Sequence, residues 1–226
     1  MKRLLICLLL ALPLTAQDEL AARLQGAPRL PRAALEVLRS DLARGPESPR
    51  KAYWQALVDY HLVWKLRGGD PDGARALLEG TITCLEPSQD PDGKALLGAC
   101  LDLMIGFNRA RAVFLAPRAA RLIQEALRAA PRNPRVKVFW GIHCVFIPAL
   151  FGGGSSRAVA VLTEAVQEAE AEADPGDPLT PRWGRIEAMA WLADDGRKAE
   201  ARNMVDRAVA LDPQYPFARA LQKELR

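Results

Sequence analysis

"AARLIQEALRAAP" (residues 119–131) and "ARNMVDRAVALDP" (residues 201–213) lie over one another without a gap. Each opens with Ala, carries a β-branched apolar residue four places on, Ala at seven and Pro at twelve. The residues are Ala119, Ile123, Ala126 and Pro131 in one, and Ala201, Val205, Ala208 and Pro213 in the other. Offsets of 0, 4 and 7 fall on one face of an α-helix. The small outer residues let that face approach a neighbouring helix closely, and the larger one between them fills the space. Proline then stops the helix, because it has no N–H to donate and disfavours helical backbone in the residue before it.

Two looser copies extend the pattern. Ala158, Leu162 and Ala165 keep its first three positions and run on through "QEAEAEADP", while Ala74, Leu78 and Thr81 precede Pro87, one residue late. Starts at 74, 119, 158 and 201 are 45, 39 and 43 residues apart. That is the period of stacked helical hairpins, each burying its apolar face against its neighbours.

At these residues the chain resembles the tetratricopeptide repeat family, whose second helix carries a small–large–small–Pro signature. The resemblance covers residues 50–226. Segments "PRVKVFWGIHCVF" (134–146) and "WGRIEAMAWLADDG" (183–196) have the aromatic and small residues of the family's first helices, in shifted positions. Intervals longer than the usual period of about 34 residues imply lengthened loops within hairpins. "NPRVKVFWG", "FGGGSSRA" and "WGRIEAMAWL" together look like exported bacterial tetratricopeptide-like proteins. A weaker similarity is to the helical-repeat T component that accompanies periplasmic solute-binding proteins of TRAP transporters. These resemblances imply an all-α, right-handed solenoid of antiparallel hairpins and bring no catalytic residue with them.

Periodicity and end signals place helices at 17–25, 31–44, 50–67, 72–86, 91–106, 116–130, 134–148, 155–173, 182–194, 197–211 and 214–225. "DPDG" occurs at Asp70 and again at Asp90, which sets Asp at the N-cap and Pro in the first helical position both times. "ADPGDPLTP" (173–181) reads as a turn-rich connector.

The amino terminus reads as an export signal. Lys2 and Arg3 precede an apolar run of eleven residues, 4–14, and "LTAQDE" offers cleavage after Ala16. A bilayer span needs about 20 apolar residues, so no membrane span is expected once the signal is removed. The expected organisation is a cleaved signal over 1–16, N-terminal helices over 17–49 packing on the array, and a repeat domain over 50–226. Export places the protein in the periplasm or outside the cell. Removing Lys2 and Arg3 lowers the formal charge from +4 to about +2. The arginines read as scattered among acids, without the basic stripe nucleic acid requires. Cys84, Cys100 and Cys144 remain, an odd number; a Cys84–Cys100 bridge is disfavoured by antiparallel packing, and buried free thiols are the simpler reading.

"FIPALFGGGSSRA" (146–158) raises the question of a phosphate cradle. The glycines are contiguous and no Gly-Lys-Ser/Thr follows, so neither a Walker loop nor a dinucleotide fingerprint fits. The plainer reading is a helix ending near Leu150, glycines in left-handed backbone, and Ser155 or Ser156 capping the next helix. An anion contact at that helix start, aided by Arg157, is the alternative. His61 and His143 lack the companions of a metal site. Neither Cys100 nor Cys144 comes with a recognisable base and oxyanion arrangement.

Trp54, Trp64, Trp140, Trp183 and Trp191 read first as packing residues. The candidate ligand or partner groove comprises Trp140, Phe146, Phe151, Gly152, Gly153, Gly154, Arg157 and Trp183. Arg109, Arg111, Arg118 and Arg121 form a mild cluster, read as a solvated face. Without a catalytic constellation, the favoured function is a scaffold for a protein or peptide partner. A component that handles a small, partly apolar solute alongside a transporter is the alternative, and an enzyme comes last. No cofactor or metal is implied.

Overall fold

The computed structural model describes residues 14–45, 47–48, 50–194 and 198–225. Among them are eleven α-helices, three 3-10 turns and no strand. The helices are α1 (Leu14–Gln25), α2 (Arg32–Arg44), α3 (Lys51–Leu66), α4 (Pro71–Leu85), α5 (Pro91–Phe107) and α6 (Ala112–Ala129). They continue with α7 (Pro134–Phe146), α8 (Ser155–Ala171), α9 (Arg185–Asp194), α10 (Lys198–Leu211) and α11 (Pro216–Glu224). Every helix expected from the sequence is present. Residues 1–13, most of the expected signal, lie outside the described residues, and the cleavage point after Ala16 falls within the first turn of α1.

The two "DPDG" starts behave alike. Asp70 accepts a hydrogen bond from the Gly73 N–H at 3.0 Å and Asp90 one from the Gly93 N–H at 3.1 Å, each with Pro at the first helical position. Two helix ends differ from expectation. Asn108 accepts from the Ala110 N–H and turns the chain through a 3-10 turn, Arg109–Arg111, so α6 begins at Ala112 and carries Pro117 near its start. Pro117 is the sixth helical residue, past the four N–H groups that have no intrahelical partner, so α6 forgoes one bond, to the Val113 carbonyl. α7 ends at Phe146, not near Leu150, because Pro148 holds Ile147 in extended backbone at φ −99° and ψ 129°.

Each three-residue signature is buried. Ala74, Leu78, Thr81, Ala119, Ile123, Ala126, Ala158, Leu162, Ala165, Ala201, Val205 and Ala208 all lie in the core. The reason appears on the facing helices. A Cβ on Gly98 of α5 would stand 2.5 Å from Cγ1 of Ile123, and one on Gly141 of α7 would stand 2.5 Å from Cγ of Leu162. The large central residue of each second helix therefore sits against a bare backbone on the first, which is how closely the paired helices meet.

α3, α5, α7 and α9 form one layer, each touching the next, and α4, α6, α8 and α10 pack outside them. α5 and α7 run parallel. Asp92, near the start of α5, accepts from Asn133 and Arg135 at the start of α7, while Asp102 meets His143 ten residues further along both helices. The two ends of the array are also joined. Gln25 donates to the carbonyls of Pro178 and Thr180 and accepts from the Arg182 N–H, and Trp54 Nε1 donates to the Leu179 carbonyl at 3.0 Å. Arg29 bonds both Glu187 and Asp212 at 2.7 Å. The connector at 173–184 thus crosses back to α3, and Leu24, Ala27 and Pro28 are buried beneath it.

Candidate ligand-binding face

After α7 the chain makes a 3-10 turn, Ala149–Phe151, and enters the three glycines. Gly152 has φ +85° and Gly154 has φ +92°, left-handed values that favour glycine. A side chain on Gly153 would collide with the Ile147 carbonyl. Their N–H groups are all used inside the loop: Gly152 donates to Ala149 O, Gly153 to Pro148 O and Gly154 to Cys144 O. None of these three glycine N–H groups is left for an anion, which favours the loop reading over a glycine cradle. One detail changes. The N-cap of α8 is Gly154 and Ser155 is the first helical residue, so the expected serine cap is replaced by glycine.

The residues of the expected groove separate into three places. Trp140 is buried, stacked on His143 with centroids 5.0 Å apart and rings 15° from parallel, and the Arg157 guanidinium stands 5.3 Å above it. Together with the glycines they make the base of the loop. Phe151 projects outward. Trp183 lies at the opposite end of α7: it is buried, donates to the Tyr53 hydroxyl at 2.9 Å and packs edge-on against Phe139, while the neighbouring Gly184 meets Arg135 and Val138. It belongs to the closure of the array.

Phe146 has different company. Its ring lies 6.0 Å from Trp191, Trp191 lies 5.6 Å from Phe217, and Phe217 lies 6.1 Å from Tyr215. Phe146 is exposed, Trp191 and Phe217 are half-buried, and Tyr215 is buried beside Arg29, Glu187 and Asp212. This row crosses α7, α9 and the start of α11 and ends on fixed charges. Sequence reasoning named Trp191 only among packing residues and left out Phe217. The signal was thin, since nothing in one sequence ties Phe146 to residues 45 and 71 places away.

His143 Nδ1 lies 2.8 Å from Asp102 Oδ2. Burial pushes the Cys144 thiol up to about 11 and raises Cys100 further still, so neither is an activated nucleophile. Burial, with the charges of Lys65 and Arg29, lowers His61 to about 3, which keeps its imidazole neutral. Cys84 is exposed, against the expectation of buried thiols, and all three cysteines are free. Among the described residues no group of three His, Cys, Asp or Glu is placed to hold a metal, and no helix is long and apolar enough to cross a membrane. Two open clefts, of about 400 and 450 Å³, share Cys84 as an edge and include no residue of the expected groove.

Charge is less evenly spread than the whole-chain balance implied. Between residues 103 and 163 there are nine Lys and Arg and a single acid, Glu125. Four of the nine find acids elsewhere in the chain: Arg118 pairs with Glu86, Arg132 with Glu168, Arg135 with Asp92 and Glu172, and Lys137 with Glu164.

No family model matches the chain, and no curated protein matches it. Among solved structures, the HusA haemophore from Porphyromonas gingivalis is similar, with a TM-score of 0.60 over 79% of this chain and 91% of that one, at 20% identity. The likeness is one of fold.

Proposed function

We propose that the protein is an exported, non-catalytic binding protein of tetratricopeptide-like build that carries a small, largely apolar ligand with a flat face. The observation that supports this most is the row Phe146–Trp191–Phe217. Three rings at 5.6–6.0 Å spacing, open to solvent at one end, offer π-faces and edges to a planar molecule. Ring contacts of about 0.5–1.5 kcal/mol each would together change affinity by roughly ten- to a thousandfold. The fold likeness to a haemophore makes haem the first probe. In this reading residues 1–16 direct export and are removed, 17–49 lie against the array, and 50–226 form it.

A protein or peptide partner is the other use such an array allows. The segment from Leu24 to Pro28 and the connector already fill the side of α3 that an open array would offer, so that partner would need another face. Titration with haem, followed by tryptophan fluorescence and haem absorbance, tests the proposal. Trp191→Ala should weaken binding by roughly two- to tenfold. Equal affinity in the variant, or no binding of haem or other planar apolar compounds, would remove it.

A further inference from the structure

Seven large apolar side chains are exposed among the described residues, and five of them lie at the tips of two neighbouring hairpins. Val113 and Phe114, 74% and 78% exposed, open α6 just past the α5–α6 turn. Leu150 and Phe151, 88% and 76% exposed, stand on the 3-10 turn between α7 and α8, close after Phe146. Because α5 and α7 run parallel, held at one end by Asp92–Arg135 and, ten residues on in α5 and eight in α7, by Asp102–His143, both tips point from the same edge.

Cations flank both pairs. Arg109 and Arg111 are exposed on the turn before Val113 and form no ion pair among the described residues. Arg157 follows the second tip and is held over the Trp140 ring. Neither tip carries an acid; Asp70 and Asp72 belong to the preceding hairpin, where Asp70 caps α4. The apolar pairs protrude, and neither of the clefts edged by Cys84 includes them. Protruding apolar pairs ringed by arginine fit a surface that is soft, apolar below and negative on top.

We infer that this edge docks the protein on an anionic phospholipid surface. Phe114, Leu150 and their neighbours enter the boundary between headgroups and acyl chains, while Arg109, Arg111 and Arg157 meet lipid phosphates. Protruding aromatic and leucine side chains favour that depth, and each nearby arginine adds attraction that salt weakens.

Sedimentation with vesicles tests this directly. The protein should sediment with phosphatidylcholine vesicles containing about a quarter phosphatidylglycerol, and bind pure phosphatidylcholine roughly tenfold less. Phe114→Ser with Leu150→Ser should abolish sedimentation, and Arg109→Glu with Arg111→Glu should lower it to the level of neutral vesicles. All four positions are exposed, so circular dichroism should be unchanged and haem titration should match the parent, which separates this edge from the aromatic row. Failure of the parent protein to sediment with anionic vesicles overturns the inference, as does equal binding by both variants. If light scattering shows a dimer that Phe114→Ser with Leu150→Ser dissociates, the tips bury against a second copy and the lipid assignment is wrong.

Discussion

Asp102 and His143 are 41 residues apart in the chain and 2.8 Å apart in space, and their bond fastens α5 to α7 inside the inner layer. Burial is the largest influence on Asp102 and raises its carboxyl above the ordinary 3.8; the bond to His143 works the other way. A raised carboxyl is one whose ionised form the fold disfavours. Its unfavourable contribution is complete above the folded value and is relieved as pH falls through that value towards 3.8. Urea denaturation across this window should therefore show a steeper pH dependence in the parent protein than in Asp102→Asn, where the amide oxygen still accepts from Nδ1. Asp102→Ala strands the imidazole and should cost about 1–3 kcal/mol at neutral pH.

Glycines within helices should divide by sign. Gly98→Ala and Gly141→Ala place a methyl 2.5 Å from Ile123 and Leu162, so each should lose roughly 1–3 kcal/mol through forced repacking. Gly80 sits in α4 with nothing within 4 Å of its Cβ position. Gly80→Ala should gain about 0.5–1 kcal/mol from helix propensity alone. Thermal melts of the three variants check both directions at once, and a loss at Gly80 matching that at Gly98 would contradict the packing described.

Arg29 joins the N-terminal segment to Glu187, which is 4% exposed at its side chain, and to Asp212. Removing it leaves the Glu187 carboxylate with only the Gly184 N–H for company. Arg29→Ala should cost roughly 2–4 kcal/mol, as for other pairs with one partner deleted from a buried site. Hydrogen exchange should accelerate over residues 18–30 and in the connector at 173–184 before it changes in α5 or α7. Uniform acceleration through the whole chain would mean that the closure is not a separate unit.

Thiol reactivity should follow burial. Cys84 is exposed, whereas Cys100 and Cys144 are buried with thiols pushed up by desolvation. A thiol-specific reagent should titrate Cys84 within minutes in the native protein and reach the other two only on unfolding. Cys84→Ser should remove the fast phase entirely.

What could be read from the sequence was local or periodic. Asp70 and Asp90 announced their helices because a cap, a proline and the accepting N–H all lie within four residues. Ala119, Ile123 and Ala126 marked a buried face through helical spacing alone, and their closeness to Gly98 follows from the same small–large logic. Contacts between layers left no such trace. Asp92 with Arg135, Asp102 with His143 and Phe146 with Trp191 are set by how hairpins stack, which depends on loop lengths that no residue advertises. The serine cap failed for a similar reason: Gly154 had to take φ +92° to return its N–H to Cys144, which left it in the capping position. The unevenness of charge over 103–163 was visible throughout, but became meaningful only once pairing across layers showed which arginines stay free.

The junction of Gln25 and Arg29 with residues 178–212 has a consequence for how this chain can change over evolutionary time. Open arrays gain or lose whole units, since each touches only the next. Here a duplicated hairpin would carry Glu187 and Asp212 away from Arg29 and leave the Trp54 indole without Leu179, so growth by insertion carries an immediate penalty. Divergence is channelled instead into the turns on the free edge, where length and composition can vary without reopening the ring of contacts.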